Sequence, residues 1–269
     1  MKLFNLNCRI DVPEDGEYQF IHRKNSILEL IQSQKPSVLT FQEVYPRMQH
    51  ALAEGLPDHY VWLGRSRSLD WTDEFPALVF DASQYYLRDV RQAWMSYTPE
   101  IPGSRFPEQS ICPRMYVIAL LEERKTHQLV VVGTTHLDHQ SVQARFLGIT
   151  QVMGELVKMI DQVSLPCLPV VLTGDFNAEP DEMTLEIATK MPLMVDGTDH
   201  LRELSSDIPY TFHHFGKMHR PIKIDYILGS DAVEHSTVKP YVKDEAGHFY
   251  SDHIAMVADL EFTECKAPC

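Results

Sequence analysis

A chain of 269 residues with 44% hydrophobic content can bury a sizeable core, and a single domain over residues 1–263 with a short tail at 264–269 is expected. The formal net charge of −14 argues against tight non-specific binding to duplex DNA, which draws on clustered Lys and Arg. No apolar run approaches the roughly 18 residues of a spanning helix, and Met1-Lys2-Leu3-Phe4-Asn5 does not open a secretory signal. A soluble, cytoplasmic protein with no membrane attachment and no obligate protein partner is the expectation. Five scattered cysteines without paired metal spacing fit a reduced compartment.

In chain order, β-rich apolar runs predict strands at residues 2–6, 37–41, 60–63, 77–80, 116–121, 129–135, 169–173, 223–228 and 253–262. Three segments read as helices. Over 20–34, Ile21, Ile27, Leu28 and Ile31 share one face among Lys, Asn and Glu. Over 141–162, Phe146, Ile149, Met153, Leu156 and Ile160 repeat at steps of three and four behind Ser141 as cap. A shorter helix follows Pro180, over 183–191. Strands outnumber helices, and the helices fall at intervals suited to covering sheets from outside. The fold class is α/β or α+β with mixed sheets. Residues 63–75 and 97–113 read as long irregular loops, the natural source of specificity.

Polar groups recur at the ends of these apolar runs. Asn7 follows the first strand, Glu43 the second, and His136 with Asp138 the run 129–135. The sequence Leu172-Thr173-Gly174-Asp175-Phe176-Asn177 delivers an acid and an amide two residues apart, just past a glycine. Asp225 sits in Ile224-Asp225-Tyr226-Ile227, and Ser251-Asp252-His253 opens the last run. Each has a plain structural alternative: a turn cap for Asn7, a solvated acid for Glu43, an Asx turn for Asp175 and Asn177. A backbone hydrogen bond would account for Asp225, and a core histidine for His253. The recurrence at the same end of several runs is what points to a site.

The set supplies what phosphoester hydrolysis requires. Glu43 and Asp252, with the neutral oxygen of Asn7, suit Mg²⁺, a hard cation that polarises a phosphoryl oxygen and steadies a leaving group. Asp175 with Asn177 suits orienting and deprotonating a water. Asp225 beside His253 gives a carboxylate-oriented imidazole biased toward protonation, and His136 a further donor to phosphoryl oxygens.

These residues resemble the endonuclease/exonuclease/phosphatase superfamily, in the motif order Asn7, Phe41-Gln42-Glu43, Thr135-His136-Leu137, Gly174-Asp175-Phe176-Asn177, Ile224-Asp225-Tyr226-Ile227 and Ser251-Asp252-His253. The resemblance spans almost the whole chain and looks like a small uncharacterised bacterial-type branch. It implies a four-layer α/β/β/α sandwich of two stacked mixed sheets, and Mg²⁺ or Mn²⁺ at Glu43 with Asn7 and Asp252 close by. It also implies that Asp175, Asn177, His136 and His253 surround the scissile phosphate, with Asp225 orienting His253. Two positions are carried over from the family: Arg114 as a phosphate contact and Glu74 as the acid that holds His136. Their alternatives are a surface arginine and a loop acid. Abasic-site endonucleases carry an acid shortly after the first-strand Asn, whereas Cys8 and Arg9 follow here. His139 and Arg145 fit a helix-cap and solvated-face role better than a pocket. The leading expectation is a metal-dependent phosphoesterase for a small phosphorylated metabolite or nucleotide. The alternatives are a nuclease for single-stranded RNA or DNA, and a non-catalytic binding module.

Overall fold

The structure is a computed structural model that describes residues 1–163, 165, 167–194 and 199–263. The proposed tail at 264–269 lies outside the described residues. In chain order the elements are β1 (Lys2–Asn7), α1 (Phe20–Gln34), β2 (Val38–Val44), α2 (Pro46–Ala53), β3 (Tyr60–Leu63), β4 (Phe75–Asp81), β5 (Tyr85–Trp94) and β6 (Met115–Glu123). They continue with β7 (Leu129–His136), α3 (Val142–Val163), β8 (Val170–Asp175), α4 (Met183–Lys190), β9 (Arg202–Glu203), β10 (Asp225–Gly229), β11 (Val233–Tyr241) and β12 (Ala255–Phe262). A 3-10 segment, Pro13–Tyr18, leads into α1.

Two six-stranded sheets stack face to face, in the orders β11-β12-β1-β2-β4-β3 and β5-β6-β7-β8-β10-β9. Alternation along β1 explains the layering: Leu3 packs between the sheets, while Phe4 and Leu6 face α1. Leu3, Val38, Val117, Val171, Ile227 and Met256 form the layer between sheets. Ile27, Leu28 and Ile31 of α1 close the outer face of the first sheet, as Ile149, Met153 and Leu156 of α3 close that of the second. The result is the four-layer sandwich. Ser141 caps α3 by accepting the Ala144 N–H at 3.1 Å.

Four elements were not visible in the sequence pattern. Strands β5 and β11 lie at sheet edges with much of their length exposed, so Arg, Asp, Glu and Lys replace the apolar alternation. Strand β9 has two residues, and α2 has eight behind a Pro at its first turn. The last strand starts at Ala255, two residues later than expected. Cys8 and Cys112 are free thiols, but Cys167 is disulfide-bonded, so the all-reduced reading fails there.

Strand direction places the polar residues. β1 and β2 run parallel, as do β7 and β8, so Asn7, Glu43, His136 and Asp175 share one edge. β4 is antiparallel to β2, β6 to β7, β10 to β8 and β12 to β1. Glu74, Arg114, Asp225 and His253 stand at or just before the starts of those strands and reach the same edge. Starts of antiparallel strands and ends of parallel ones thus converge. Beneath them a buried polar ladder joins the sheets. Gln42 Nε2 donates to Thr134 Oγ1 at 3.0 Å, and Thr173 Oγ1 to Thr40 Oγ1 at 2.9 Å. Such a network fixes one sheet against the other where apolar contacts alone would tolerate slippage.

Candidate active site

Gly174 sets the local backbone. Its φ is +142°, and a Cβ there would lie 2.0 Å from the Thr135 carbonyl oxygen, so only glycine lets β8 approach β7 at this point. Asp175 follows, paired in register with His136 on one side and Asp225 on the other. Three non-glycine residues beside the site, Arg9, Glu43 and Asn177, hold positive φ of 56°, 60° and 49°. Such conformations persist only where surrounding contacts over-determine them, and they cluster at functional sites.

Asp175 is the centre. Its Oδ2 accepts the Asn7 amide at 2.9 Å and lies 3.6 Å from His136 Nε2 and 3.9 Å from His253 Nε2. Its Oδ1 accepts the Asn177 N–H at 2.8 Å, and the Asn177 amide donates to the Leu137 carbonyl at 3.1 Å. Burial, with Asp225 nearby, pushes the Asp175 carboxyl up to about 7 against the opposing pull of His253. His253 Nδ1 bonds Asp225 Oδ2 at 2.8 Å. Burial disfavours that imidazolium, but the Asp225 carboxylate, joined by Asp252 and Asp175, outweighs it and raises His253 to about 10. His136 moves the other way: burial first, then Arg114, lowers it well below the ordinary value. The site therefore pairs a cationic imidazole with a neutral one around a carboxyl poised near neutrality.

Glu43 completes the acidic half. One ligand atom from each of Glu43, His136 and Asp175 lies within 4.8 Å of the others, and Asp175, Asp225 and His253 form a second such trio. Asp252 belongs to neither trio, yet it lines the same cavity, and burial with Glu43 raises its carboxyl. The expectation for Asn7 needs correction in one respect. Its Nδ2 faces both Glu43 Oε1 (3.1 Å) and Asp175 Oδ2, while its Oδ1 accepts the Arg9 N–H at 2.9 Å. An N–H between two carboxylates offsets their mutual repulsion. Ligation through the Asn7 oxygen requires the amide to turn over. Carboxylates converging with a neutral amide are the donor chemistry of a hard divalent cation, and the residues fit one.

A cationic wall faces the acids. Glu74 Oε1 accepts Arg67 Nη1 at 2.5 Å and Arg114 Nη1 at 3.4 Å, and lies 3.5 Å from His136 Nδ1. Glu74 and Arg114 are both 5% exposed, so neither is the solvated loop residue of the alternative reading. His139 lines the cavity while remaining exposed, whereas Arg145 is buried, pairs with Glu182 and stays out of the cavity, which corrects its solvated-face reading.

Sequence reasoning missed Arg9, which lies in an irregular segment where no periodicity marks it. The Arg9 guanidinium forks onto Asp15 at 3.0 and 3.1 Å and stands 3.8 Å from Asp252. The buried Arg23 donates to the carbonyls of Cys8, Tyr250 and Tyr18, tying the exit of β1 to the approach to β12. Phe212, Ile222 and Ile224 supply an apolar side, with the Phe212 ring 4.8 Å from that of His253.

The sequence model of the Endonuclease/Exonuclease/phosphatase family matches residues 158–253, the stretch that carries Asp175, Asn177, Asp225, Asp252 and His253. This match and the solved structures below make the chain similar to the endonuclease/exonuclease/phosphatase superfamily. Members of this superfamily are hydrolases acting on phosphoesters. The superfamily is divalent-metal dependent. An endonuclease/exonuclease/phosphatase from Bacteroides vulgatus superposes with a TM-score of 0.84 at 23% identity, covering 97% of this chain and 98% of that one. A functionally unknown conserved protein from Enterococcus faecalis gives 0.81 at 27% identity, with 98% and 100% covered. The mannosyl-6-phosphatase of Bacteroides thetaiotaomicron gives 0.79 at 20% identity, with 97% and 100% covered. Among the described residues, no helix of this chain is long and apolar enough to cross a membrane.

Proposed function

We propose that the protein is a Mg²⁺- or Mn²⁺-dependent phosphoesterase that hydrolyses a phosphate mono- or diester of a small metabolite or nucleotide by attack of water. The observation that carries this reading is the convergence of His136, His253, Asn7 and Glu43 on Asp175 at the wall of one cavity. That cavity holds about 500 Å³, within the roughly 300–1,000 Å³ usual for small-molecule sites.

In this reading Glu43, Asp252 and Asn7 hold the cation, which supplies charge at a phosphoryl oxygen when bound. Asp175, whose carboxyl titrates near neutrality, accepts a proton from the attacking water, and Asn177 fixes the loop beside it. His253, kept cationic by Asp225, donates to a phosphoryl oxygen as negative charge builds there. Neutral His136, steadied by Glu74, offers a second hydrogen bond, and Arg114 a charged contact. A sugar phosphate heads the substrates to try, since one structural relative is a mannosyl-6-phosphatase.

The second reading is a nuclease for single-stranded RNA or DNA. Trp71 and Tyr97 are 52% and 70% exposed on the two long loops, where bases could stack. Clustering of Arg65, Arg67, Arg105 and Arg114 at the pocket would favour it; Arg67 and Arg114 reach the cavity, while Arg65 lies over Trp94 and Arg105 bonds the Ser110 carbonyl. A panel of phosphorylated metabolites and short oligonucleotides, run with Mg²⁺ or Mn²⁺ and with chelator, tests both. Metal-dependent release of phosphate from a small compound supports the first. Turnover confined to oligonucleotides replaces it with the second, and no turnover anywhere refutes both.

A further inference from the structure

Arg114 is a buried cation short of partners. Its Nη1 has only the 3.4 Å contact to Glu74 Oε1, the same oxygen that takes Arg67 at 2.5 Å. Asp138 is near enough to feel its charge, but that carboxylate is already held by Ser110 and the backbone N–H groups of Gln140 and Ser141. The Nε–H of Arg114 has no hydrogen-bond partner among the described residues, although the residue is 5% exposed and lines the cavity. A buried N–H on a guanidinium left without an acceptor is costly, and a bound anion is what removes the cost.

The last contact of Arg114 fixes a neighbour. Its Nη2 stands 2.9 Å from His139 Nδ1. A guanidinium can only donate, so Nδ1 must offer its lone pair and the proton must sit on Nε2. Burial and then the Arg114 charge lower the pKa of His139, consistent with this neutral tautomer. The Nε2–H has no acceptor among the described residues. Arg114 and His139 therefore hold unspent donors on the cavity wall, and neither bonds Glu43 or Asp252.

We propose that Arg114 and His139 form a subsite for a terminal phosphate oxygen and so make the protein selective for phosphate monoesters over diesters. The proposal rests on the phosphoesterase reading and narrows its substrate class. A monoester carries three terminal oxygens and a charge between about −1.5 and −2 at neutral pH. A diester carries a single negative charge and places an ester carbon where the third oxygen would be. That carbon offers nothing to the Arg114 Nε–H, which stays buried and unpaired, or to the N–H of the exposed His139 beside it. Sites built to hydrogen-bond a substrate group reject analogues lacking it far more strongly than apolar pockets do.

The test compares kcat/KM for 4-nitrophenyl phosphate and bis(4-nitrophenyl) phosphate in the wild type, Arg114→Ala, His139→Ala and His139→Gln. The wild type should favour the monoester. The two alanine variants should lose about thirtyfold or more on the monoester, the scale of one to two lost charged hydrogen bonds, and at least about tenfold less than that on the diester. His139→Gln, which keeps an N–H donor, should recover much of the loss. In calorimetry on chelator-treated protein, inorganic phosphate should bind the wild type and bind each alanine variant at least about tenfold more weakly. If Arg114→Ala does not fold, the His139 pair decides alone. Equal losses on both esters, a wild type that prefers the diester, or equal phosphate affinities would overturn the subsite. Absence of turnover on either ester with both metals would instead remove the phosphoesterase reading.

Discussion

Asp225→Asn is the most informative single substitution, because it changes charge while preserving shape. The asparagine oxygen can still accept the His253 Nδ1–H across the present 2.8 Å, so the ring keeps its orientation. The carboxylate charge is lost, and it is the first of the influences that raise His253 to about 10. With burial then less opposed, the imidazole should fall to its ordinary value of about 6.5 or below. At pH 8 such a ring is about 3% protonated, whereas the native ring is almost wholly so. If the cationic ring is the reactive form, turnover at pH 8 should drop at least about thirtyfold, and the deficit should shrink as pH falls through 6.5. Asp175, which Asp225 helps to raise, should ionise at lower pH in the variant, so the base persists there. The assay is kcat against pH from 5.5 to 9 with the best substrate, beside NMR titration of His253 in chelator-treated protein. A deficit of the same size at every pH, or a His253 in the variant that still titrates near 10, would refute the reasoning.

Glu43→Gln should raise the metal concentration for half-maximal activity by at least about tenfold, read by Mg²⁺ and Mn²⁺ titration. An unchanged curve would exclude ligation by Glu43. Arg145→Met removes the two 2.7 Å bonds to Glu182 and the 3.0 Å bond to the Asp138 carbonyl, and should cost about 3 kcal/mol in urea unfolding with KM unchanged. His213 is lowered to about 4 by burial and then by His253, and its Nδ1 accepts the Gly216 N–H at 3.1 Å. Below pH 6.5 the unfolded chain binds a proton that the folded one refuses, so stability falls as pH drops from 6.5 to 4. The slope is at most about 1.4 kcal/mol per pH unit. His213→Gln should flatten this acid limb in urea titrations at successive pH values, and an unaltered limb would exclude His213 as its source.

How much of this was legible follows from where each residue sits. Helix α1 appears at residues 20–34 as expected, because a helix half in water must alternate on a 3.6 period. The central strands were visible as apolar runs because both of their faces are covered. Edge strands β5 and β11 carry the composition of loops, so their pairing is set by neighbours that the local sequence does not describe. Asp175, Asp225 and His253 stood out because an acid or imidazole against a buried strand needs a partner. His139 did not, since the residue it meets is distant in sequence. It meets Arg114 from 25 residues away. The orientation of the Asn7 amide was beyond any pattern, being decided by the two carboxylates it separates.

The charge of the whole chain and the charge of the site act at different ranges. At a net −14, the surface repels a phosphorylated ligand on approach, but exposed charges are screened beyond roughly 8 Å at physiological ionic strength. Inside the cavity the balance differs: Arg9, Arg67, Arg114 and cationic His253 stand among Glu43, Glu74, Asp175 and Asp252. Asp15, Asp73 and Asp225 pair with Arg9, Arg67 and His253, so it is the divalent ion beside Arg114 that gives an entering phosphate group its favourable field. A polynucleotide would place one phosphate there and leave the rest along an acidic exterior that releases few counterions. A compact substrate whose charge lies entirely within the cavity avoids that opposition. Acidic composition and an arginine-lined pocket together therefore weigh toward a small phosphate ester.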